Sequence, residues 1–190
     1  MPWLIVILGY LLGSIPTGYI AGRVLAGGDI RRLGDENMGA ANVYRELGPK
    51  AGVIVGFADA AKGTAAVLIA QASGMPQATV LLAGAAAVVG HNWPVFIGFR
   101  GGRGVSTTIG VMLGVLTLPT LILAGPALLV LVLKKNVSAA CAFLFVPLFL
   151  VSWALGASGL LVAYSIVMPC LNGLTHLLRV WPKAVTQSGG

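Results

Sequence analysis

Residues 104–133 read GVSTTIGVMLGVLTLPTLILAGPALLVLVL, and the number of times that this stretch crosses a membrane decides the fold. It contains no charged residue, and it lies between Arg103 on one side and the pair Lys134 and Lys135 on the other. Its length suits either one long kinked helix or two short ones. Loops rich in Lys and Arg stay in the cytoplasm, so both flanks belong on the same side of the membrane. We therefore expect two crossings, with a turn near residues 117–119.

The composition of the chain is that of a membrane protein. Of its 190 residues, 57% are hydrophobic and 9% are charged, and the mean hydropathy is +0.94. Soluble domains carry about 25% charged residues. The apolar runs are continuous rather than alternating, which favours helices over a β-barrel. We expect one all-α integral membrane domain over residues 1–190. No basic region precedes the first apolar segment, which predicts a retained span rather than a cleaved signal peptide.

Seven apolar stretches are expected to span the membrane, with two short helices at the centre. They cover residues 3–22, 53–71, 79–97, 104–116, 120–133, 137–155 and 160–177. The positions of the basic residues place the N-terminus outside and the C-terminus in the cytoplasm. The excess of 12 Lys and Arg over 5 Asp and Glu then reflects topology, and we expect no nucleic-acid partner. Cys141 and Cys170 lie in apolar stretches and are expected to be buried core residues, without a metal or disulfide role.

The first long loop is unusually rich in groups that bind phosphate. It reads GGDIRRLGDENMGAANVYRELGPKAG and exceeds the usual length of a connection. Asn42 and Arg45 are three residues apart and share a face if this part is helical. Asn supplies donors and an acceptor, and the planar guanidinium of Arg matches a phosphate. A solvated loop with an ordinary turn is the simpler alternative.

A second loop follows His91 and carries Gly101, Gly102 and Gly104 beside Arg100 and Arg103. Glycines let backbone N–H groups approach a ligand, and the N-terminus of the following helix favours an anion. This loop, residues 98–104, is expected to hold a phosphate at the membrane surface, and we call it the glycine loop. His91 has the plainer alternative of an interfacial hydrogen-bonding residue.

A pair of ionisable residues lies inside the second apolar stretch. Asp59 and Lys62 are three residues apart, and ionisable groups at such depth usually face a protein interior or a wet cavity. They belong either to a functional site or to a mutually neutralising pair that fixes helix packing.

These stretches, in order, resemble one bacterial family. GSIPTGYIAG, ENMGAANVYR, DAAKG, GHNWPVFIGFRGGRGVST and KKNVSAA, found between Gly13 and His176, are similar to successive motifs of the PlsY family of membrane acyl-phosphate:glycerol-3-phosphate acyltransferases. The resemblance implies seven spans in the bacterial cytoplasmic (inner) membrane, with the active site facing the cytoplasm. It also implies transfer of a fatty acyl group from acyl phosphate to the 1-hydroxyl of glycerol 3-phosphate, giving lysophosphatidic acid and inorganic phosphate. Neither a metal nor another cofactor is implied, and the bilayer is expected as the setting, with no obligate protein partner.

The resemblance and the residues together predict the site. The residues expected to take part in the reaction are Asn37, Arg45, Arg103 and His176. Those expected to bind substrate or phosphate are Gly39, Asn42, Gly101, Gly102, Gly104, Ser138, Lys62, His91 and Arg179. Three departures from the family pattern, at four positions, stand out. Asp35 and Glu36 place negative charge where anionic substrates bind, Arg103 replaces a lysine, and Arg179 replaces an asparagine.

An acyl phosphate is already activated, so the protein needs only to hold two anions, orient the hydroxyl and stabilise the leaving phosphate. No serine or cysteine lies in a nucleophile motif, which predicts direct transfer without an acyl-enzyme. A substrate phosphate oxygen is favoured over His176 as the proton acceptor. A small transporter of a phosphorylated or anionic solute is the main alternative. A purely structural membrane protein, or a related enzyme with another donor or acceptor, also stays open.

Overall fold

The computed structural model describes residues 1–187, with side chains described for residues 1–178, and this part of the chain is helical throughout its regular structure. The all-α membrane fold class is confirmed. Short 3₁₀ turns lie at Ile30–Arg32 and Val95–Ile97. The α-helices are α1 Pro2–Ser14, α2 Thr17–Ala26, α3 Ala40–Leu47, α4 Pro49–Ala72, α5 Gln77–Asn92, α6 Val105–Val115, α7 Thr117–Lys134, α8 Val137–Phe145, α9 Leu148–Ala154 and α10 Gly159–Gln187.

Six helical segments within the described residues are long and apolar enough to cross a membrane. They are Pro2–Ala26, Pro49–Ala72, Gln77–Ile97, Thr117–Lys134, Val137–Ala154 and Gly159–Leu178. The first joins α1 and α2 across Pro16, which has no N–H to continue the helix and keeps Ile15 extended. The carbonyl oxygen of Ile15 is freed by this break and accepts a hydrogen bond from Lys62 Nζ at 2.8 Å. The break is thereby compatible with a membrane interior, where an unpaired carbonyl is costly.

The central pair of helices differs in part from the prediction. Helix α6 is short, with 11 residues, as expected. Helix α7 has 18 residues and is long enough to span, so the expectation of two short helices is wrong for the second one. The break between them lies at Leu116 rather than at residues 117–119. Pro119 sits in the first turn of α7, where its missing N–H has no partner to lose, so it starts the helix instead of breaking it.

The two cysteines are not buried as expected. Cys141 is partly buried and Cys170 is exposed, and both are free thiols. An apolar sequence context does not separate core from periphery in a membrane protein, because helix surfaces that face lipid are as apolar as those that face the core.

Helix α4 is the central support of the site, packing against α1, α3, α5 and α6. Small residues bring α4 and α6 close together: a Cβ on Gly63 would overlap the carbonyl of Thr107, and one on Gly110 would overlap the carbonyl of Ala60. Helices α1 and α5 approach in the same way through Gly9 and Gly13 of α1. Small residues at such crossings are typical of membrane helices, which associate by close packing.

Helix α6 runs beside only the second half of α4. Thr107, near its start, meets Gly63, which lies about 21 Å along α4 from Pro49 at 1.5 Å per residue. Near its end, the carbonyl of Gly114 accepts a hydrogen bond from Gln71 Nε2 at 3.3 Å. The segment between α5 and α6 lies beside the first half of α4, since its Ile97 packs against the cluster that includes Ala51 and Val55. Apart from the 3₁₀ turn at Val95–Ile97, this segment is not helical. Such backbone is tolerated at depth when it is enclosed by protein or lines a wet cavity.

Candidate active site

Asn42 organises the first loop from inside. Its Nδ2 donates to the carbonyls of Asn37 at 2.7 Å and Leu33 at 3.0 Å, and its Oδ1 accepts from the N–H of Asp35 at 2.9 Å. The side chain is fully buried, and the neighbouring Val43 belongs to a small apolar cluster that also includes Ile30. Asn42 was predicted to contact phosphate, whereas in the structure its hydrogen-bonding groups close the loop.

Two other predicted site residues of the first loop, Arg45 and Asn37, differ in whether they have a hydrogen-bonding or ionic partner. Arg45 forms a half-exposed ion pair with Asp35, so the acidic residue that seemed unfavourable for anions partly neutralises a predicted phosphate ligand. Asn37 is nearly buried, and its Oδ1 has no hydrogen-bond partner among the described residues. Its Nδ2 lies close to Gly39, where a Cβ would come within 3.1 Å. A buried amide oxygen without a donor is costly, which makes Asn37 a candidate to accept a hydrogen bond from a ligand.

The glycine loop folds back onto the end of α5. The N–H groups of Gly101 and Gly102 donate to the carbonyls of Asn92 at 3.1 Å and His91 at 3.0 Å. These two N–H groups thus cap the C-terminal end of α5. The prediction was instead that they would bind a phosphate. The glycines are needed for space: a Cβ on Gly102 would overlap His91 Nε2. Gly104, at φ +80°, would place a Cβ 2.6 Å from Asn92 Oδ1.

Arg103 is the residue of this loop that is open to an anion. It is partly buried, and its Nε is enclosed without a hydrogen-bond partner among the described residues. A buried guanidinium N–H lacking an acceptor is unfavourable, and hydrogen bonds between a guanidinium and an anionic oxygen are among the strongest in proteins. The neighbouring Arg100 is exposed, which distinguishes the two arginines of the loop.

Arg31 joins the first loop to the glycine loop. Its Nη1 donates to the carbonyls of Ile97 and Arg100, each at 3.0 Å, while its Nε and Nη2 bind the carboxylate of Asp29. The hydrogen bond from Arg31 lowers the pKa of Asp29 below its usual range, and the same bond raises the pKa of Arg31. Both loops are therefore held at one end of the helix bundle, where α5 ends and α4 begins. We call this the site end.

A buried ionic cluster of Asp59, Lys62 and His91 lies next to the glycine loop. Asp59 Oδ1 accepts a hydrogen bond from Thr17 Oγ1 at 2.5 Å, forms an ion pair with Lys62 Nζ at 2.8 Å, and lies 3.3 Å from His91 Nδ1. Asp59 is 1% exposed and Lys62 6%. The predicted i, i+3 pair is thus an ion pair. Lys62 and His91, predicted to bind phosphate, are instead gathered around Asp59, and His91 reaches from there to Gly102.

The sequence model of the glycerol-3-phosphate acyltransferase family matches residues 3–180. The chain belongs to this family. A relative called glycerol-3-phosphate acyltransferase 4, from Dehalococcoides mccartyi, is 50% identical over 179 residues, which cover 94% of this chain and 97% of the relative. The fold is similar to the crystal structure of PlsY (YgiH), an integral membrane glycerol 3-phosphate acyltransferase. Its glycerol 3-phosphate form is 35% identical, with a TM-score of 0.85 over 97% of this chain and 92% of that one. The lysophosphatidic acid form of the same protein is 34% identical to this chain, with a TM-score of 0.82.

The family assignment confirms the resemblance seen in the motifs and favours an enzyme over the transporter and the purely structural protein. Within this member of the glycerol-3-phosphate acyltransferase family, one further polar network had no sequence signal strong enough to predict it. Asn92 Nδ2 donates to Thr175 Oγ1 at 3.1 Å, and Asn172 Nδ2 donates to Thr108 Oγ1 at 2.9 Å. These bonds tie α10 to α5 and α6, so the later part of α10 also lies at the site end.

Two predicted site residues with described side chains, Ser138 and His176, are not drawn into these networks. Ser138 is exposed at the start of α8, whose N-terminus is capped by Asn136 Oδ1 at 3.0 Å from the N–H of Ala139. His176 is exposed and follows Thr175, and neither Ser138 nor His176 makes a side-chain hydrogen bond among the described residues. The side chain of Arg179 lies outside the described residues.

Proposed function

We propose that this protein transfers a fatty acyl group from acyl phosphate to the 1-hydroxyl of glycerol 3-phosphate, giving lysophosphatidic acid and inorganic phosphate. Membership of the family makes it a glycerol-3-phosphate acyltransferase, and the acyl phosphate donor and the position of transfer are the finer part of the proposal. The observation that carries it is the buried, unpartnered Nε of Arg103, on a loop that Arg31 holds against the first loop. A site for two phosphates needs this kind of unsatisfied cation.

The chemistry requires no covalent intermediate with the protein. The 1-hydroxyl oxygen attacks the carbonyl carbon of the acyl phosphate, the bond between that carbon and the phosphate oxygen breaks, and phosphate leaves. The hydroxyl proton passes to a phosphate oxygen, so the products are an ester and hydrogen phosphate. Because the donor is an activated mixed anhydride, positioning and stabilisation of the leaving phosphate supply the main part of the catalysis.

We assign roles according to the contacts that each residue makes. Arg103 and Arg45 bind the phosphates, and Arg45 exchanges Asp35 for substrate. Asn37 orients a substrate hydroxyl through its unpartnered amide oxygen. The other predicted residues position these groups. Asn42 and Gly39 shape the first loop, and Gly101, Gly102 and Gly104 let the glycine loop lie against α5. Lys62 and His91 support that loop through Asp59. Ser138, His176 and Arg179 are proposed as substrate-binding residues on the strength of the family resemblance alone.

The site end is proposed to face the cytoplasm in the inner membrane of a bacterium, with seven crossings and the N-terminus outside. The support is the charge distribution: 11 of the 12 Lys and Arg residues, all except Lys62, lie in or beside the loops on this side of the predicted topology. Acyl phosphate would enter from the bilayer, and glycerol 3-phosphate from the cytoplasm.

The test is phosphate release by the purified protein in a lipid mesophase supplied with palmitoyl phosphate, with and without glycerol 3-phosphate. We expect release to depend on the acceptor and to fall about 100-fold in the Arg103→Ala variant, the cost of removing a charge-stabilising donor. Arg100→Ala is the matched control, because it removes an exposed arginine from the same loop and leaves the carbonyl that Arg31 binds. Release that ignores the acceptor, or equal losses in the two variants, would contradict the proposal.

A further inference from the structure

A cationic cavity lies where α2 ends, and no residue of the glycine loop lines it. Its volume is about 390 Å³, within the range of roughly 300–1,000 Å³ typical of small-molecule sites. The lining residues come from the end of α2 and the segment that follows it: Arg23, Ala26, Gly27, Gly28, Asp29, Arg32 and Leu33. Arg103 and Asn37, the residues on which the proposed reaction depends, do not line it. This cavity therefore calls for its own explanation.

The charge of the cavity is uncompensated. Asp29 is the acidic residue in its lining, and its carboxylate is already bound by the guanidinium of Arg31. Arg23 and Arg32 make no ion pair among the described residues. Arg23 and Arg32 thus line one cavity without an ion-pair partner. An anion bound between two cationic groups that line one cavity is attracted by both of them.

Arg23 is held in place rather than free in solvent. Its Nε donates to the hydroxyl of Tyr19 at 2.9 Å, and its guanidinium lies 5.2 Å from the centre of the Tyr19 ring. Arg31 lies 5.1 Å from the same ring centre. The Tyr19 ring, placed on α2 one turn before Arg23, therefore fixes the orientation of one cationic wall. A positioned planar guanidinium is suited to bind a phosphate through two hydrogen bonds.

We propose that this cavity binds a phosphate group through Arg23 and Arg32. It begins at Ala26, the last residue of the candidate span Pro2–Ala26, which is the depth at which lipid phosphates lie. Val24 and Leu25, which precede it, are 75% and 60% exposed and offer an apolar surface to lipid. Basic pockets at the cytoplasmic ends of membrane helices bind anionic lipid head groups. The phosphate belongs either to such a head group or to a soluble phosphate compound.

The experiment measures the melting temperature of the full chain in a neutral detergent with two probes. One arm adds phosphatidylglycerol in steps, with phosphatidylcholine as the zwitterionic comparison, and the other adds inorganic phosphate. The variants are Arg32→Gln, which removes an exposed side chain without a hydrogen bond, and Arg23→Gln combined with it. The matched control is Lys134→Gln with Lys135→Gln, which removes two exposed positive charges elsewhere.

We expect the stabilisation by one probe to fall by at least half in Arg32→Gln and further in the double variant, and to persist in the lysine control. Dependence confined to phosphatidylglycerol identifies a lipid head group, and dependence on inorganic phosphate identifies a soluble ligand. Binding of phosphate at the glycine loop is common to all variants and cancels in the comparison. The proposal is overturned if neither probe distinguishes the arginine variants from wild type, or if the lysine control loses as much. Because the readout is not turnover, these outcomes are independent of the proposed reaction.

Discussion

Replacing Asp59 by Asn tests whether the buried ionic cluster holds the protein together. Asn keeps the size of the side chain and can still accept a hydrogen bond from Thr17, but it removes the negative charge beside Lys62. The two side chains are 1% and 5% exposed, so the ammonium would stay enclosed with the carbonyl of Ile15 as its remaining partner. Breaking a buried pair in this way costs about 3–5 kcal/mol.

A loss of this size lowers the melting temperature by about 6–20 °C, at roughly 2–4 °C per kcal/mol for a chain of this length. The assay is thermal unfolding in detergent. Asp35→Asn is the matched control, since its half-exposed pair with Arg45 is worth about 0–1 kcal/mol. Adding Lys62→Met to Asp59→Asn should recover more than half of the loss, because the stranded charge is gone. The reasoning would be refuted if Asp59→Asn had the same melting temperature as Asp35→Asn. It would also be refuted if the double variant melted no higher than Asp59→Asn.

Three further predictions concern the loops. Asn42→Ala leaves the carbonyl of Asn37 and the N–H of Asp35 without a partner among the described residues, so we expect a loss of about 1–3 kcal/mol and faster proteolysis within residues 27–39. Gly102→Ala forces a methyl group against the ring of His91, and we expect a cost of about 1–3 kcal/mol in a melting assay together with reduced turnover. The Asp29–Arg31 link stabilises the loops fully above the ordinary pKa of an aspartate and loses this contribution as the pH falls through the lowered pKa of Asp29.

Each of these three predictions has a control variant. Gly125→Ala introduces the same methyl group where no heavy atom lies within 4 Å, so it should leave melting and turnover nearly unchanged. Ser138→Ala removes an exposed side chain outside the first loop, so proteolysis of residues 27–39 should not change. For the acid effect, hydrogen exchange of the first loop is followed as the pH is lowered, and Asp29→Asn should remove the step. An Asn42→Ala variant as resistant as wild type, a Gly102→Ala variant that melts with Gly125→Ala, or an acid step that persists in Asp29→Asn would each contradict the corresponding contact.

The fold class could be predicted from the sequence, because each membrane-spanning helix is apolar along its whole length and therefore appears as a long hydrophobic stretch. Each predicted span overlaps one or more helices, with breaks inside three of them, and the short α6 follows from the apolar length between Arg103 and Leu116. The end of α6 was harder to place, because Pro119 suits the first turn of a helix as well as a loop. The Asp59–Lys62 pair was visible because its members are three residues apart on one helix.

The internal arrangement of the site was less predictable. The glycine loop was recognised, but its N–H groups turn back to α5, and this depends on a chain reversal that local spacing does not encode. Arg31 is one of several basic residues in the first loop, and nothing nearby in the sequence marks it as the bridge to Ile97. Thr175 and Asn172 meet α5 and α6 from more than 60 residues away. These contacts depend on tertiary packing rather than on local sequence pattern.

The central claim is transfer of an acyl group from acyl phosphate to glycerol 3-phosphate. The most direct measurement supplies the purified protein with isotopically labelled glycerol 3-phosphate and either palmitoyl phosphate or palmitoyl-CoA, and detects labelled lysophosphatidic acid by mass spectrometry. The account predicts labelled product with palmitoyl phosphate, accompanied by an equal amount of inorganic phosphate, and no product with the thioester. Product from the thioester alone, or phosphate release without labelled lysophosphatidic acid, would contradict it.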